Sequence, residues 1–238
     1  MRLKKVIDFQ KSVFALSAFI SEANFRFNEQ GLSLKAIDPS QIVFVDFKLP
    51  RKAFDAYKVE PTLAGIDVSE LNKIMQRCLP NDVMEMDLTD SELSISLKGE
   101  IEREFRLSLI DVSDEEINIP QKTFDAQLSI NSRMLREALK DAGLFGSSVV
   151  LKAKQGKLFI EARGSTGQFK SVLNDLEKRA RSDSEVTSKY SLSFFSNIIK
   201  ETGHEQKIDL FLKTDSPMKI EYSLGEASLK FHLAHMIL

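Results

Sequence analysis

The sequence predicts an α+β protein with two similar domains of antiparallel sheets, each domain carrying two short helices. Three observations predict this fold: short strand patterns outnumber helical patterns, one helix–strand–turn–strand order occurs twice, and one strand–helix–turn–strand order also occurs twice. Sheets with helices gathered on one side are typical of the α+β class. The regular alternation of strands and helices that is typical of a Rossmann fold or a parallel barrel is missing. This disfavours the enzymes built on those folds.

The first repeated pattern covers residues 13–37 and 134–162, and its turns at Gly31 and Gly156 are 125 residues apart. In each copy an apolar helix precedes two alternating strands around a Gln-Gly pair, which is typical of a β-hairpin. Helical spacing of the apolar residues predicts one buried face per helix. These faces contain Phe9, Val13, Leu16 and Ile20 in the first helix and Met134, Leu135, Ala138 and Leu139 in the second.

The second repeated pattern covers residues 66–88 and 190–212, at an offset of 124. Two matches at nearly one offset favour a structural duplication. The alternative is that this element order is common and the similarity is fortuitous. The strands predicted by alternation and turn signals are 41–49, 83–88, 92–98, 102–110, 208–213 and 218–223.

A short acidic segment, residues 111–122, separates the two copies. It contains Asp111, Asp114, Glu115 and Glu116, followed by Ile117, Ile119 and Pro120. Proline fixes its own backbone and restricts the residue before it to extended structure. We therefore predict domains at 1–110 and 123–238 joined by an extended connector with two exposed apolar residues. An ordinary solvated loop is the alternative.

The composition of the chain limits the classes of protein to which it can belong. Hydrophobic residues make up 42% of the chain and charged residues 29%, which are globular values. No apolar stretch approaches the roughly 20 residues of a membrane span, and the single cysteine excludes a disulfide framework within the chain. We expect a soluble, intracellular protein. The net charge of −2 does not indicate a nucleic-acid binder, although a balanced total can hide one basic and one acidic face.

The motifs of common catalytic sites are absent from the sequence, which predicts a protein that is not an enzyme. There is no P-loop, dinucleotide, zinc-protease or nucleophile-elbow motif. Three histidines, His204, His232 and His235, do not form an evident metal site, and no cofactor is predicted. Gly164–Gly167 is interpreted as a turn, and Cys78 as a packed small residue. A hydrolase with carboxylates assembled by folding is the remaining enzymatic alternative.

Positive charge is concentrated on the outward faces of the predicted helices. Arg133, Arg136 and Lys140 share one face of the third helix, opposite its apolar stripe. Lys73 and Arg77 do the same in the second helix. Such a face can attract phosphates in a sequence-independent and salt-sensitive way. The alternative is that exposed helix faces are normally charged.

The sequence resembles the proliferating cell nuclear antigen family of DNA sliding clamps over its whole length. The resemblance rests on GLSLKAIDPSQIVFVDFKLPRKAF (31–54), AGIDVSELNKIM (64–75), the acidic connector with Ile-Asn-Ile-Pro, SPMKIEYSL (216–224) and KFHLAHMIL (230–238). Each motif by itself has low specificity, but all of them occur in the order and with the spacing of the family. The end of the chain has no acidic extension, which resembles archaeal members more than eukaryotic ones.

The resemblance implies a non-enzymatic ring of three subunits, a homotrimer or a heterotrimer, that encircles double-stranded DNA independently of sequence. It implies DNA polymerase, flap endonuclease, DNA ligase and a clamp loader as partners, and no cofactor. A checkpoint-type or scaffolding ring that recruits partners without supporting polymerase is the alternative function. The residues expected to face DNA are Lys11, Lys73, Arg77, Arg133, Arg136, Lys140 and Lys200.

Two further surfaces follow from the resemblance. The expected pocket for partner peptides consists of Ile37, Phe44, Ile117, Pro120, Pro217, Ala234, His235, Met236 and Ile237. The expected subunit joint pairs edge strands 103–110 and 168–173, through Phe105, Leu107, Leu109, Phe169 and Val172.

Three features depart from the family pattern. His235 stands where the tail usually has a proline, and the first helix is nearly uncharged. Residues 174–185 read as a helix or charged loop rather than a continued strand.

Overall fold

The computed structural model describes residues 1–113, 117, 123–174, 176–178 and 185–237. The helices within these residues are α1 (Val6–Ser17), α2 (Val68–Met75), α3 (Ser132–Ala142) and α4 (Leu192–Ile199). A single 3-10 turn, Arg51–Ala53, also occurs in the described part of the chain. None of the described helices is both long and apolar enough to cross a membrane.

The strands of the N-terminal half are β1 (Arg2–Leu3), β2 (Glu22–Asn28), β3 (Gly31–Ile37), β4 (Val43–Pro50), β5 (Phe54–Ala56), β6 (Thr62–Asp67), β7 (Val83–Leu88), β8 (Glu92–Lys98) and β9 (Arg103–Ser108). Those of the C-terminal half are β10 (Ala126–Asn131), β11 (Ser148–Lys154), β12 (Lys157–Gly164), β13 (Gly167–Leu173), β14 (Glu177–Lys178), β15 (Val186–Ser191), β16 (Lys207–Leu212), β17 (Met218–Leu224) and β18 (Ala227–Leu233).

The chain divides into two compact units. Unit 1 contains Met1–Pro39, Phe44–Asn118 and Ser223–Leu229, and unit 2 contains Ser40–Val43, Ile119–Tyr222 and Lys230–Leu238. In unit 1 the strand orders are β5-β1-β7-β8-β9 and β4-β3-β2-β6; in unit 2 they are β14-β10-β16-β17 and β13-β12-β11-β15. Neighbouring strands within these sheets pair antiparallel. The predicted α+β class with two similar domains is confirmed; the exact limits of 1–110 and 123–238 stay a prediction.

The two units repeat one element order, as the duplicated patterns predict. Helix α1 begins 126 residues before α3, and α2 begins 124 residues before α4. The sheet β4-β3-β2-β6 of unit 1 has the same internal order as β13-β12-β11-β15 of unit 2. The similarity in sequence therefore reflects a repeated topology.

Glycine-containing turns close the two equivalent hairpins. Gln155 and Gly156 both have positive φ, 49° and 74°, which matches the right-handed twist of the paired strands. Gly31 has a φ of 131°, and a Cβ there would lie 2.2 Å from the carbonyl oxygen of Leu49. This position therefore requires glycine both for its backbone angle and for its space.

The core confirms most of the predicted apolar faces. The four residues predicted for α1 are at most 3% exposed. In α3, Leu135, Ala138 and Leu139 are buried, but Met134 is 40% exposed, so its place in the apolar stripe was wrong. Met134 directly precedes Leu135, and neighbouring residues in a helix point about 100° apart, so both cannot face the core equally.

The helix starts are set by local polar residues. Asp67 accepts a hydrogen bond from the backbone N–H of Glu70 at the start of α2, and Asn131 accepts one from the N–H of Arg133 at the start of α3. Both are N-caps, which satisfy backbone donors that have no partner within the helix.

Candidate nucleic-acid interface and partner surfaces

The helices pack in pairs, α1 with α2 and α3 with α4, and each pair lies against a sheet of its own unit. In unit 1, Nε2 of Gln10 donates to the carbonyl oxygen of Met75 at 2.5 Å. In unit 2, Nη1 of Arg136 donates to the carbonyl oxygens of Lys200 and Thr202, at 3.1 and 3.0 Å. Gln10 and Arg136 are 126 residues apart, the same offset as their helices, so equivalent positions close the ends of α2 and α4.

This contact changes the role of Arg136. The helical pattern predicts an outward cation for DNA, but the side chain is half-buried and bonded to the end of α4. Its charge also complements the negative end of the α4 dipole. Helical periodicity could not reveal the contact, because the accepting carbonyls lie 64 and 66 residues further along the chain.

The remaining cations of α2 and α3 are exposed but partly neutralised. Lys73 pairs with Glu70 at 2.5 Å, and this hydrogen bond raises the pKa of Lys73. Lys140 pairs with Glu137 at 2.7 Å, and the bond lowers the pKa of Glu137. Exposed pairs of this kind are weak and exchange readily with solvent or with a phosphate.

Arg77, Arg133 and Lys200 are exposed, whereas Lys11 of α1 is half-buried. The outward face of α1 also contains Ile7, which is 47% exposed, and Phe14, which is half-buried. The outward faces of the helices therefore have modest positive charge, and that of α1 has the least.

The expected peptide-pocket residues are distributed between the two units. In unit 1, Ile37 is 45% exposed at the end of β3, and Phe44 lies opposite it in β4 but is only 7% exposed. Ile37 and Ile117 line a groove of about 620 Å³ on the outer face of the unit 1 sheet. The connector begins on this face, where Nδ2 of Asn24 donates to the carbonyl oxygen of Val112 at 2.9 Å.

In unit 2 the C-terminal tail is held by its backbone. The N–H of Ala234 donates to the carbonyl of Ile42 at 2.9 Å, and the N–H of Met236 donates to that of Lys189 at 2.7 Å. Met236 and Ile237 are 41% and 90% exposed. His235 is exposed and Pro217 half-buried, while Pro120 lies outside the described residues. The common pocket stays a prediction.

The expected joint strands lie at sheet edges, since β9 and β13 are terminal in their sheets. Phe105, Leu107 and Phe169 are half-buried, and Val172 is 42% exposed. Leu109 lies beyond β9, which ends at Ser108; the N–H of Leu109 donates to the carbonyl of Ser91 at 2.8 Å. The predicted strand at 102–110 is therefore shorter at both ends.

A buried ion pair that sequence reasoning missed links the start of β9 to the turn between α2 and β7. Nη2 of Arg103 lies 2.5 Å from Oδ2 of Asp82, whose side chain is 1% exposed. The same carboxylate oxygen accepts from the N–H of Leu79 at 2.8 Å, and Nη1 of Arg103 donates to the carbonyl of Arg77 at 2.5 Å. Local patterns could not find it because its members are 21 residues apart.

Cys78 lies beside this pair and is half-buried. Burial, with the nearby Asp82 carboxylate, raises the pKa of the Cys78 thiol from 9.0 to about 11. The thiol is therefore protonated near neutral pH, which fits a packed residue rather than a nucleophile. Among the described residues, no group of three or more His, Cys, Asp or Glu side chains is arranged to hold a metal ion.

Family models of the proliferating cell nuclear antigen match the chain: the N-terminal domain over residues 1–122 and the C-terminal domain over residues 118–237. A DNA polymerase sliding clamp of Thermococcus gammatolerans is 33% identical over 234 residues, covering 95% of this chain and 94% of the relative. The DNA polymerase sliding clamp of Pyrococcus furiosus is 32% identical with the same coverage.

Solved structures agree with these relatives. The crystal structure of a proliferating cell nuclear antigen from Thermococcus kodakaraensis matches with a TM-score of 0.92 and 25% identity, covering 99% of both chains. A PCNA2–PCNA3 complex from Sulfolobus tokodaii matches with a TM-score of 0.88 at 22% identity, covering 99% of both chains, which supports the fold.

Proposed function

The chain belongs to the proliferating cell nuclear antigen family, and on this premise we propose that it is a DNA polymerase sliding clamp that encircles duplex DNA inside the cell. Three subunits close into a ring, and each contributes both of its units. The observation that carries the proposal is the repeated helix pair, α1 with α2 and α3 with α4, packed in equivalent units. Such a layer can enclose a duplex without reading its bases.

The phosphate contacts come from the exposed cations of the helix layer, Lys73, Arg77, Arg133, Lys140 and Lys200. Individually weak contacts are sufficient, because a closed ring cannot dissociate from a circular duplex. Lys11 and Arg136 contribute less, since Lys11 is half-buried and Arg136 is bonded to the end of α4. Weak, exchangeable contacts also permit sliding along the backbone.

The subunit joint is formed by β9 of one subunit and β13 of the next, in keeping with the unpaired edges of both strands. Phe105 and Leu107 pack against Phe169 and Val172 across that joint. A homotrimer and a heterotrimer of related chains are both compatible with these edges.

Partner enzymes bind the exposed apolar residues of the tail, together with Ile117 of the connector. Met236 and Ile237 offer apolar surface to a partner's apolar side chains, and an extended peptide can add main-chain hydrogen bonds beside the tail. DNA polymerase, flap endonuclease and DNA ligase dock there, and a clamp loader opens the ring. The protein itself performs no turnover.

The decisive experiment is retention on nicked circular DNA after loading, measured by gel filtration. We expect the protein to stay with the circle and to be released when a restriction enzyme linearises it. Retention that is unaffected by cutting would contradict a topological mechanism. Failure to stimulate a cognate polymerase, with normal retention, would favour the scaffolding alternative.

A further inference from the structure

The outer face of the unit 2 sheet β13-β12-β11-β15 is strongly basic. Strand alternation places one set of side chains towards α3 and α4, which pack on one face, and the other set on the opposite face. The opposite face contains the cations Lys152, Lys154, Lys157, Arg163, Lys170 and Lys189, and the carboxylates Glu161 and Glu185. Its six cations and two carboxylates leave a net charge of four positive units.

The equivalent face of unit 1 has no such excess. On β4-β3-β2-β6 the same register positions contain Arg26, Lys35 and Lys48 together with Glu22, Asp46 and Asp67. Three cations and three carboxylates cancel. The two faces share one topology, so the excess in unit 2 comes from its side chains and not from the fold.

Both carboxylates of the basic face already pair with lysines of the same face. Glu161 accepts from Lys152 at 3.0 Å and lies 3.7 Å from Lys170, so one carboxylate serves two lysines. Glu185 pairs with Lys154 at 2.9 Å. Lys157 and Lys189 have no ion pair within the described part of the chain. Charge on this face is therefore available to a polyanion.

An aromatic ring lies among these cations. Phe159 is half-buried on the same face, directly opposite Lys152 on β11 and Val172 on β13. The same face has a hollow of about 460 Å³, which Phe159 does not line; its charged lining consists of Arg163, Lys170 and Lys189 with the carboxylate Glu161. Basic side chains around an accessible aromatic ring on a sheet are the elements with which proteins bind single-stranded nucleic acid, by phosphate contact and base stacking.

We propose that this outer face is a binding surface for single-stranded nucleic acid. It lies across the sheet from α3 and α4, so it cannot be the surface that contacts a duplex enclosed by the helices. The proposal does not depend on ring closure, because it uses residues of one unit. A strand displaced from the duplex is the form of DNA that such a surface could hold beside the enclosed duplex.

The test uses a short linear, fluorescently labelled single-stranded oligodeoxynucleotide, which a ring cannot retain topologically. Anisotropy titrations are made between about 50 and 200 mM salt with the full-length protein. Neutralising Lys157 and Lys189 as K157Q/K189Q should weaken binding about tenfold at low salt and reduce the slope of log Kd against log salt by about 1.4, at 0.7 per phosphate contact. Phe159→Leu should weaken binding about fivefold or more.

Matched variants locate the surface. K35Q/K48Q removes two exposed lysines from the equivalent unit 1 face and should bind the oligonucleotide like the unmodified protein. K73Q/K140Q removes two lysines of the proposed duplex-facing helices, and it should weaken oligonucleotide binding less than K157Q/K189Q does. Loss of binding in K73Q/K140Q with none in K157Q/K189Q would overturn the proposal, without affecting the proposed clamp function. Binding of polyglutamate but not of the oligonucleotide would assign the face to acidic proteins instead. Unchanged binding in Phe159→Leu would overturn the single-strand assignment.

Discussion

Arg103 and Asp82 form a charged pair at 2.5 Å that joins the start of the edge strand β9 to the turn just before β7. The Asp82 side chain is 1% exposed and that of Arg103 18% exposed, so water screens the pair poorly. Arg103 also holds the carbonyl of Arg77, which belongs to the proposed DNA-facing surface. One guanidinium therefore links the carbonyl of Arg77 to the strand of the proposed subunit joint.

Arg103→Ala should lower the free energy of unfolding by about 3 kcal/mol, because it leaves a buried carboxylate without its counter-ion. Urea unfolding followed by circular dichroism measures the change. The double variant D82A/R103A should lose less than the sum of the two single variants, since it removes both charges.

Arg106→Ala is the matched control on the same strand. Arg106 pairs with Glu104 at 3.0 Å, but both side chains are well exposed, so little change is expected. Equal losses in the Arg103 and Arg106 variants would show that burial does not set the strength of the first pair.

Gly31→Ala should destabilise unit 1 by about 2 kcal/mol or more, because the new methyl would collide with a backbone carbonyl at a left-handed φ. Gly203→Ala is the control, since its nearest atom beyond the adjoining residues lies 3.8 Å from the added Cβ. Thermal unfolding compares the two. A stable Gly31→Ala variant would mean that the β2–β3 turn can rearrange.

K73A/K140A should weaken association with duplex DNA more at low salt than at high salt, because ions already screen these contacts at high salt. The measurement is equilibrium binding to a short linear duplex over a salt series. An equal loss at all salt concentrations would indicate that the lysines act through folding.

Removing the acidic partners of Lys73 and Lys140 tests whether their ion pairs compete with phosphate. E70Q/E137Q removes the carboxylates that hold Lys73 and Lys140, and should strengthen duplex binding at low salt. Unchanged binding would show that these i, i+3 pairs do not compete with phosphate.

Cys78 should react slowly with iodoacetamide at pH 8 in the folded protein. A pKa of about 11 instead of 9.0 lowers the thiolate fraction about a hundredfold. The rate should rise with pH up to about 11, since only the deprotonated sulfur attacks. The same chain in urea provides the control and should react at the rate of an ordinary thiol.

Ile237→Asp should reduce binding of a cognate DNA polymerase without lowering stability, because this side chain is 90% exposed. Surface plasmon resonance and thermal unfolding report the two quantities. Leu63→Asp, an exposed apolar position on β6, should leave polymerase binding unchanged. A loss of stability in Ile237→Asp would indicate a packing role for the tail.

Local patterns were sufficient to predict most of the fold. The strands at 83–88 and 92–98 are found with the predicted limits, because alternation and turn residues are properties of neighbouring positions. The turn at Gly164–Gly167 is also confirmed by the register of β12 and β13. Within 174–185, β14 covers Glu177–Lys178, and the rest of that prediction lies largely outside the described residues.

The candidate sites were harder to predict because they depend on distant contacts. Arg136 has the helical position of an outward cation, yet its partners are carbonyls just beyond the end of α4. The basic face of unit 2 was missed because its cations are spread over four strands, two each on β11 and β12 and one each on β13 and β15. Counting charge at alternate positions within each strand, as at Lys152 and Lys154, would have indicated it.

The tail contact between Met236 and Lys189 also protects a sheet edge. β15 is terminal in its sheet, where free backbone groups would invite another chain. The N–H of Asp215 donates to the carbonyl of Thr187 at 3.4 Å, and that of Met236 donates to the carbonyl of Lys189 at 2.7 Å. With those acceptors occupied, uncontrolled growth into fibrils through β15 is opposed, and strand addition is directed to the other edge of the same sheet.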